Sequence, residues 1–441
     1  MISIRRSLTT WLGAATVGRY GSNAMWMLAA RFAWIASAAT VGIYVARRLG
    51  PHDFGVFHYA LSLAGIFSIV ATLSVESIVI RKLVTEPDAN RRTLGSFTAL
   101  RILSFVAMQA LLTTTLLVLR VDPQTAILAL VIATGTFGFV LEGPALFYQA
   151  NVASKYVAIP QLFACLVNSA IRISVAYWHL PLVVLAIAEA SINILSFGGA
   201  LAFYWHAVES PFRWQAERRE IVSLLRLALP LGLSGIFTIV DSRIDNLMLG
   251  HFLGPEAVGQ YTVAARIVEN WNLIAALLAT AFLPALLQAK QDSAERYRVR
   301  LHRLYFALFY GMAALALVTV LVSSPVITLL FGEAFRPAAA VLRVLVWSTL
   351  GATLSYVFSQ WAINEQHTSM VAAAVGLGVV AKIALNLLFI RHLQMLGVAL
   401  ATLLSCPIGL LATMLPTPHG RTHLALMLRS LATRPRFRSD T

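Results

Sequence analysis

A chain of 441 residues that is 59% hydrophobic and 12% charged, with a mean hydropathy of +0.76, is too apolar to fold as a soluble domain. Its formal charge of +15 is scattered over short segments, none of them large enough to fold as a basic domain, which argues against nucleic-acid binding. Apolar segments of about 20 residues, enough to cross a ~30 Å hydrocarbon core as a helix, recur along nearly the whole chain. The ten-residue alternation of an outer-membrane barrel is not seen, so the sequence predicts an all-α polytopic membrane protein.

The N-terminal segment 1–22 carries Arg5, Arg6 and Arg19 but no short apolar core with a small-residue cleavage site. The first span then serves as an uncleaved insertion signal. Twelve spans are expected. Six lie at 23–46, 56–83, 94–119, 125–149, 156–178 and 182–205, and six at 224–249, 258–287, 301–330, 338–363, 370–390 and 396–415. They form a first six-helix bundle over 23–206 and a second over 224–416. Between them the amphipathic link 207–223 holds Pro211, Phe212, Trp214, Arg218 and Arg219, which suits a segment lying on the membrane surface. A basic tail, 417–441, closes the chain and is expected to be an unstructured, lipid-attracted end.

One stretch occurs twice. Leu49-Gly50-Pro51 with Gly55 and Phe57 returns 204 residues later as Leu253-Gly254-Pro255 with Gly259 and Tyr261. Each copy is a helix exit, a Gly-Pro turn and the start of the next helix. A repeat half the chain apart predicts two pseudo-symmetric bundles, which in a membrane commonly enclose a central cavity. The match of Ile171-Arg172-Ile173 to Leu385-Asn386-Leu387 lies 214 residues apart and sets Asn386 where the first half has Arg172.

Loop charges orient the chain. With the N-terminus inside, the inner loops and tails hold most of the basic residues, among them Arg81, Lys82, Arg91, Arg92, Arg213, Arg218, Arg219, Lys290 and Arg421. The outer loops hold only Arg47, Arg48, Arg120, Arg336 and Arg391. Both termini are therefore expected in the cytoplasm. The outer loops are short, and neither a nucleophile elbow, a P-loop nor a zinc signature is present, so an enzyme, a metal site or a cofactor is not expected. Cys165 and Cys406 stand in separate apolar segments and read as small core residues.

Charges within the spans carry the functional information, because each costs about 2.5–3.5 kcal/mol at a helix centre and must face protein or water. They are Arg31, Glu76, Arg101, Glu142, Arg172 and Glu189 in the first half, and Asp241, Arg243, Asp245, Arg266, Glu269, Arg343 and Lys382 in the second. Arg266 and Glu269 share a helical face, either as a local pair or as cavity groups. Asp241 and Asp245 share another, with Arg243 projecting roughly opposite. Arg343 is placed to snorkel to the headgroups. Arg31, Arg101 and Arg172 have no acidic residue within one helical turn, so their partners lie on other helices, in water or on a ligand. An arginine fork suits a phosphate.

The order of these motifs resembles the Wzx-type polysaccharide flippases of the multidrug/oligosaccharidyl-lipid/polysaccharide exporter superfamily. The resemblance rests on Asn23 and Trp26, on Arg47 through Gly55 with Tyr59-Ala60-Leu61-Ser62, and on Asp245 through Gly250 with Gly254-Pro255, Gly259-Gln260-Tyr261 and Ala264-Ala265-Arg266. Phe331-Gly332-Glu333-Ala334-Phe335 with Leu342-Arg343-Val344-Leu345 completes it.

The resemblance implies two six-helix bundles around a central cavity in a bacterial cytoplasmic membrane. It implies alternating access about turns at Gly50, Pro51, Gly254 and Pro255. The expected cargo is an undecaprenyl-pyrophosphate-linked oligosaccharide, and the expected partners are anionic lipids, a polysaccharide polymerase and a chain-length regulator. Arg31, Arg101 and Arg172 with Arg243 or Arg266 would bind the phosphates, and Asp241, Asp245 or Glu269 would carry a coupling ion. Tyr148, Asn168, Trp271, Asn272, Tyr356 and Gln360 are candidate glycan contacts. A cation-coupled drug antiporter of the same superfamily and a non-transporting scaffold for glycosyltransferases remain alternatives.

Overall fold

A computed structural model describes residues 14–72 and 74–433. Among the described residues the regular structure is helical throughout. The helices are α1 (Ala14–Thr72), α2 (Glu76–Thr85), α3 (Asn90–Val118), α4 (Pro123–Thr134), α5 (Gly143–Ala150), α6 (Lys155–Trp178), α7 (Leu182–Ala207) and α8 (Arg218–Leu253), followed by α9 (Pro255–Ala281), α10 (Leu283–Asp292), α11 (Ala294–Phe331), α12 (Ala338–Leu345), α13 (Ser348–Asn364), α14 (Thr368–Met414) and α15 (Pro418–Ala432). Nine stretches of the described chain are long and apolar enough to cross a membrane. Two of these, Gly21–Thr85 and Thr368–Met414, have the length of two crossings. They are interrupted by non-helical backbone at Gly50 and at Gln394, respectively. With α8, 36 residues long and carrying Asp241 and Asp245, they account for the twelve expected spans.

Several spans expected to be continuous are broken. Span 125–149 becomes α4, a 3₁₀ stretch over Gly135–Leu141, and α5 starting at Gly143-Pro144. Gly135 and Gly138 lie so close to the backbone of Ala190 and to Asn193 on α7 that a methyl group at either position would overlap them. The tighter 3₁₀ turn follows this close approach. Span 338–363 likewise divides into α12 and α13, and span 258–287 breaks at Phe282 before Pro284.

The chain forms two compact units. The first comprises residues up to Leu49 together with Ala60–Ile239; the second comprises Gly50–Tyr59 and the chain from Val240 onward. The division therefore falls inside α8, while the link 207–223 belongs to the first unit. There Trp214 packs on Tyr204 with ring centroids 5.6 Å apart, and Glu217 N donates to Ser96 Oγ at 3.0 Å. The core of this unit gathers Val79, Leu94, Phe97, Leu146, Tyr204 and Leu224.

In the second unit the two copies of the repeated motif pack on each other. Gly50 (φ 76°, ψ 173°) and Gly254 (φ 87°, ψ 177°) share a backbone conformation open to glycine alone. One turn further, Gly55 lies against the Pro255 carbonyl and Gly259 against the Pro51 carbonyl. The Phe331–Phe335 turn joins them. Gln260 Nε2 donates to Ala334 O at 2.7 Å, Gln260 Oε1 accepts from Ala338 N at 3.1 Å, and Phe54 meets Phe335 edge-on at 6.1 Å.

The expectation of an unstructured tail fails over Pro418–Ala432. These residues form α15, capped by Thr417 Oγ1 accepting from Gly420 N at 3.1 Å. Its His423, Leu424 and Met427 are buried with Tyr305, Phe358 and Trp361. Arg434, Arg436 and Arg438 lie outside the described residues, as does the first part of the 1–22 segment.

Candidate functional site

The first unit contains a half-open cavity of about 510 Å³ between α1, the end of α5, α6 and α7. Helical spacing puts Met27, Arg31 and Trp34 on one face of α1, and Ala158, Gln161 and Cys165 on one face of α6. Asn193, Ser196 and Phe197 complete it from α7, and Gln149 from α5. Among the described residues Arg31 is the only charged one lining the cavity. It is exposed and makes no ion pair among the described residues. One cation amid amides, the Ser154 and Ser196 hydroxyls and aromatic faces offers charge for an anion, neutral hydrogen bonds for hydroxyls and flat surfaces for a sugar ring. The cavity is braced by Ser154 N donating to Asn23 Oδ1 at 2.5 Å and by the Ser37–Ser169 hydroxyl pair at 2.7 Å.

The other two first-half arginines have carboxylate partners. Arg172 on α6 pairs with Glu189 on α7, each about one-fifth exposed. Arg101 is 1% exposed. Its Nη2 donates to Glu76 Oε1 at 2.6 Å and Glu142 Oε2 at 2.9 Å. Its Nη1 donates to the carbonyls of Ala71, at 2.8 Å, and Thr72, the last residues of α1. Four of its five N–H groups are thus spent, and its Nε is buried without a partner. Here the guanidinium caps the end of α1 and holds the starts of α2 and α5.

In the second unit the acidic pair of α8 is engaged by Lys382 of α14. Lys382 Nζ lies 2.8 Å from Asp241 Oδ1 and 3.4 Å from Asp245 Oδ2. Asp245 also accepts from Asn386 Nδ2 at 3.0 Å, Thr402 Oγ1 at 3.0 Å and Tyr261 Oη at 2.8 Å. Asp245 and Lys382 are buried, whereas the Asp241 side chain is half exposed. With the offsets of 204 and 214, Asp241 corresponds to Ser37, Asp245 to Val41 and Asn386 to Arg172. Lys382 corresponds to Asn168, so the cluster of the second unit stands at the positions of Ser37, Val41, Asn168 and Arg172 in the first.

The remaining candidates are dispersed. Arg266 and Glu269 are exposed on α9 with no ion pair between them. Arg243 is half-buried and is not free of partners. Arg343 is exposed, its Nε donating to Ser323 Oγ at 2.9 Å. Among the glycan candidates, Tyr148 stacks on Tyr156 at 4.8 Å and Asn168 Nδ2 donates to Ala188 O at 2.6 Å, so both are occupied in the first unit's interior. Trp34, Gln149, Gln161 and Asn193, which line the cavity, were not singled out by sequence; the signal was the i, i+4, i+7 alignment of Met27 and Trp34 with Arg31.

A family model described as polysaccharide biosynthesis protein matches residues 21–290, and a model described as MatE matches residues 230–388. Among solved structures the chain is similar to the lipid II flippase MurJ in an inward closed conformation, with a TM-score of 0.70 and 14% identity over 92% of this chain and 91% of that one. It is also similar to an inward-facing multidrug resistance MATE family transporter of the MOP superfamily, with a TM-score of 0.65 and 15% identity over 90% and 96%. A third likeness is to a MOP superfamily transporter from Pyrococcus furiosus described as having a binding pocket of reversed polarity, with a TM-score of 0.54 and 14% identity over 93% and 96%. No curated protein matches the chain.

Proposed function

Because the chain belongs to the polysaccharide biosynthesis protein family, we propose that it is a flippase that carries a polyprenyl-pyrophosphate-linked oligosaccharide across the membrane, from the inner to the outer leaflet of a bacterial cytoplasmic membrane. The cavity of the first unit carries the reading. Arg31 stands there as the single charge among Gln149, Gln161, Asn193 and Trp34, a set that suits a phosphate joined to a sugar. A cationic drug would meet an uncompensated arginine in the same space.

In this mechanism Arg31 takes the phosphate, the amides take sugar hydroxyls, and the prenyl tail stays in lipid. Arg172 supplies a second guanidinium, one that must share itself with Glu189. Outward movement of an anion gains about 2.3 kcal/mol per charge per 100 mV when the cytoplasm is negative. Any ion coupling falls to Asp241 and Asp245 rather than to the exposed Glu269. The Lys382 ammonium already stands between the two carboxylates, so any coupling cation would have to compete with it there. The match of residues 230–388 to the MatE model favours a second reading, a drug antiporter driven from this cluster.

Sidedness of a lipid-linked oligosaccharide in proteoliposomes, read with an impermeant sugar-modifying enzyme, tests the proposal. Protein-dependent exposure of the sugar is expected, with Arg31→Ala losing it and Arg31→Lys keeping part. A folded Arg31→Ala variant that flips at the wild-type rate removes the phosphate role. Failure of the wild-type protein on several lipid-linked sugars, with drug efflux present, selects the antiporter.

A further inference from the structure

The link and the first turns of α8 leave a group of arginines without acidic partners. Three carboxylates are near in sequence and each is used. Glu209 Oε2 accepts from Arg91 Nε at 2.7 Å, Glu217 lies 3.4 Å from Arg92, and Glu220 accepts from Lys82 Nζ at 2.5 Å. These pairs fasten the link to the α2–α3 corner of the first unit. Arg213, Arg218, Arg219 and Arg226 are exposed and have no ion pair among the described residues.

Their placement is ordered. Arg219, Ser223 and Arg226 follow one another at i, i+4 and i+7 on one stripe of α8, with Arg218 beside it. Next to them the apolar helix α7 ends. Its 26 residues measure about 39 Å at ~1.5 Å per residue, longer than the ~30 Å hydrocarbon core. Trp205, in its last turn and 53% exposed, meets the 86% exposed Phe212 edge-on at 5.8 Å. Exposed aromatic rings at the end of a span mark headgroup depth.

We propose that this shelf is a binding site for the headgroups of anionic phospholipids. Trp205 and Phe212 insert at the interface, and the guanidiniums of Arg218, Arg219 and Arg226 clamp the phosphodiester, with the Ser223 hydroxyl donating to it. The occupant is the membrane's own lipid rather than a protein, because the charges stand where a span leaves the bilayer and are flanked by rings suited to the headgroup layer. An arginine near an anionic surface is worth about fivefold in binding, so loss of three lowers the affinity of the site on the order of a hundredfold.

Native mass spectrometry of the full-length protein released from nanodiscs of mixed phosphatidylglycerol and phosphatidylcholine tests this. The wild type is expected to retain phosphatidylglycerol in preference, and Arg218→Gln/Arg219→Gln/Arg226→Gln to lose most of the tightly held molecules with an unchanged melting temperature. Equal retention of the two lipids by the wild type overturns the proposal, as does undiminished phosphatidylglycerol on the folded variant. Displacement of the lipid by millimolar inorganic pyrophosphate also overturns it, by showing a site for soluble phosphate. If the triple variant does not fold, Phe212→Ser/Arg213→Gln is read in the same way.

Discussion

Gly55 lies against the carbonyl of Pro255 as closely as Gly259 lies against the carbonyl of Pro51. The two copies of the repeated sequence are therefore each other's packing partner, joined where small residues let helix backbones approach. Alanine at Gly55 or Gly259 forces the segments apart. A loss of about 1–3 kcal/mol or more is expected from such overpacking, seen as a lower melting temperature in detergent. Gly311, in the interior of α11 with open space where its Cβ would stand, is the control: Gly311→Ala is expected to be neutral or to stabilise by up to ~1 kcal/mol. Equal melting of all three variants contradicts the close packing.

Lys382 neutralises carboxylates that water reaches only in part. Removing it leaves Asp245 buried without a counter-charge, and a loss of about 3–5 kcal/mol is typical of such a break. Lys382→Ala is expected to lower the melting temperature strongly, and Lys382→Ala/Asp245→Asn to recover part of the loss. A double variant no more stable than Lys382→Ala removes the coupling.

Arg101 and Arg31 are expected to fail differently. Arg101→Ala leaves Glu76 and Glu142 facing one another and frees the carbonyls at the end of α1, so folded yield falls. Arg31→Ala leaves yield unchanged and reduces only transport. Size-exclusion profiles measured beside flipping rates separate the two; a monodisperse, stable Arg101→Ala protein contradicts the structural assignment.

His423 makes the docking of α15 dependent on pH. It stacks on Trp361 with centroids 3.8 Å apart, and its Nε2 is 2.8 Å from the Tyr305 hydroxyl. Burial lowers its pKa to about 3, against about 6.5 when exposed. The undocked helix therefore binds the proton more readily between these values. Docking is at full strength above about pH 6.5 and weakens as pH falls toward 3, at about 1.4 kcal/mol per pH unit. Hydrogen-exchange protection factors over Pro418–Ala432, corrected for the intrinsic pH dependence of exchange, are expected to fall below pH 6.5 in the wild type and to change little with pH in His423→Phe. Identical pH profiles for the two proteins rule out the titration of His423 as the cause.

The spans were legible because the bilayer imposes a length and a composition that few other structures share. The repeated Gly-Pro turns were legible because glycine alone takes the backbone angles of Gly50 and Gly254. The contact between the two copies was not, since sequence similarity says nothing of who touches whom. The partners of Arg101, Glu76 and Glu142, were not legible because they belong to other segments of the chain, beyond the reach of a one-turn search. The amides around Arg31 resemble any polar residue in a span until α1, α5, α6 and α7 are brought together. The helix α15 was hidden by its low hydropathy, although Thr417-Pro418 is a start signal and His423, Leu424 and Met427 share a face.

The transfer of Gly50–Tyr59 to the second unit has a consequence for biosynthesis. This segment leaves the ribosome 204 residues ahead of its counterpart at Gly254, so it enters the membrane long before the helix that covers it exists. The first unit can fasten its arginine pairs early, whereas the second closes only when α9 has been inserted. Splitting the gene in the link between the halves would send the earlier motif away with the wrong fragment. The duplicated halves are no longer interchangeable modules, and separately produced fragments would have to meet in the membrane before the second could finish folding.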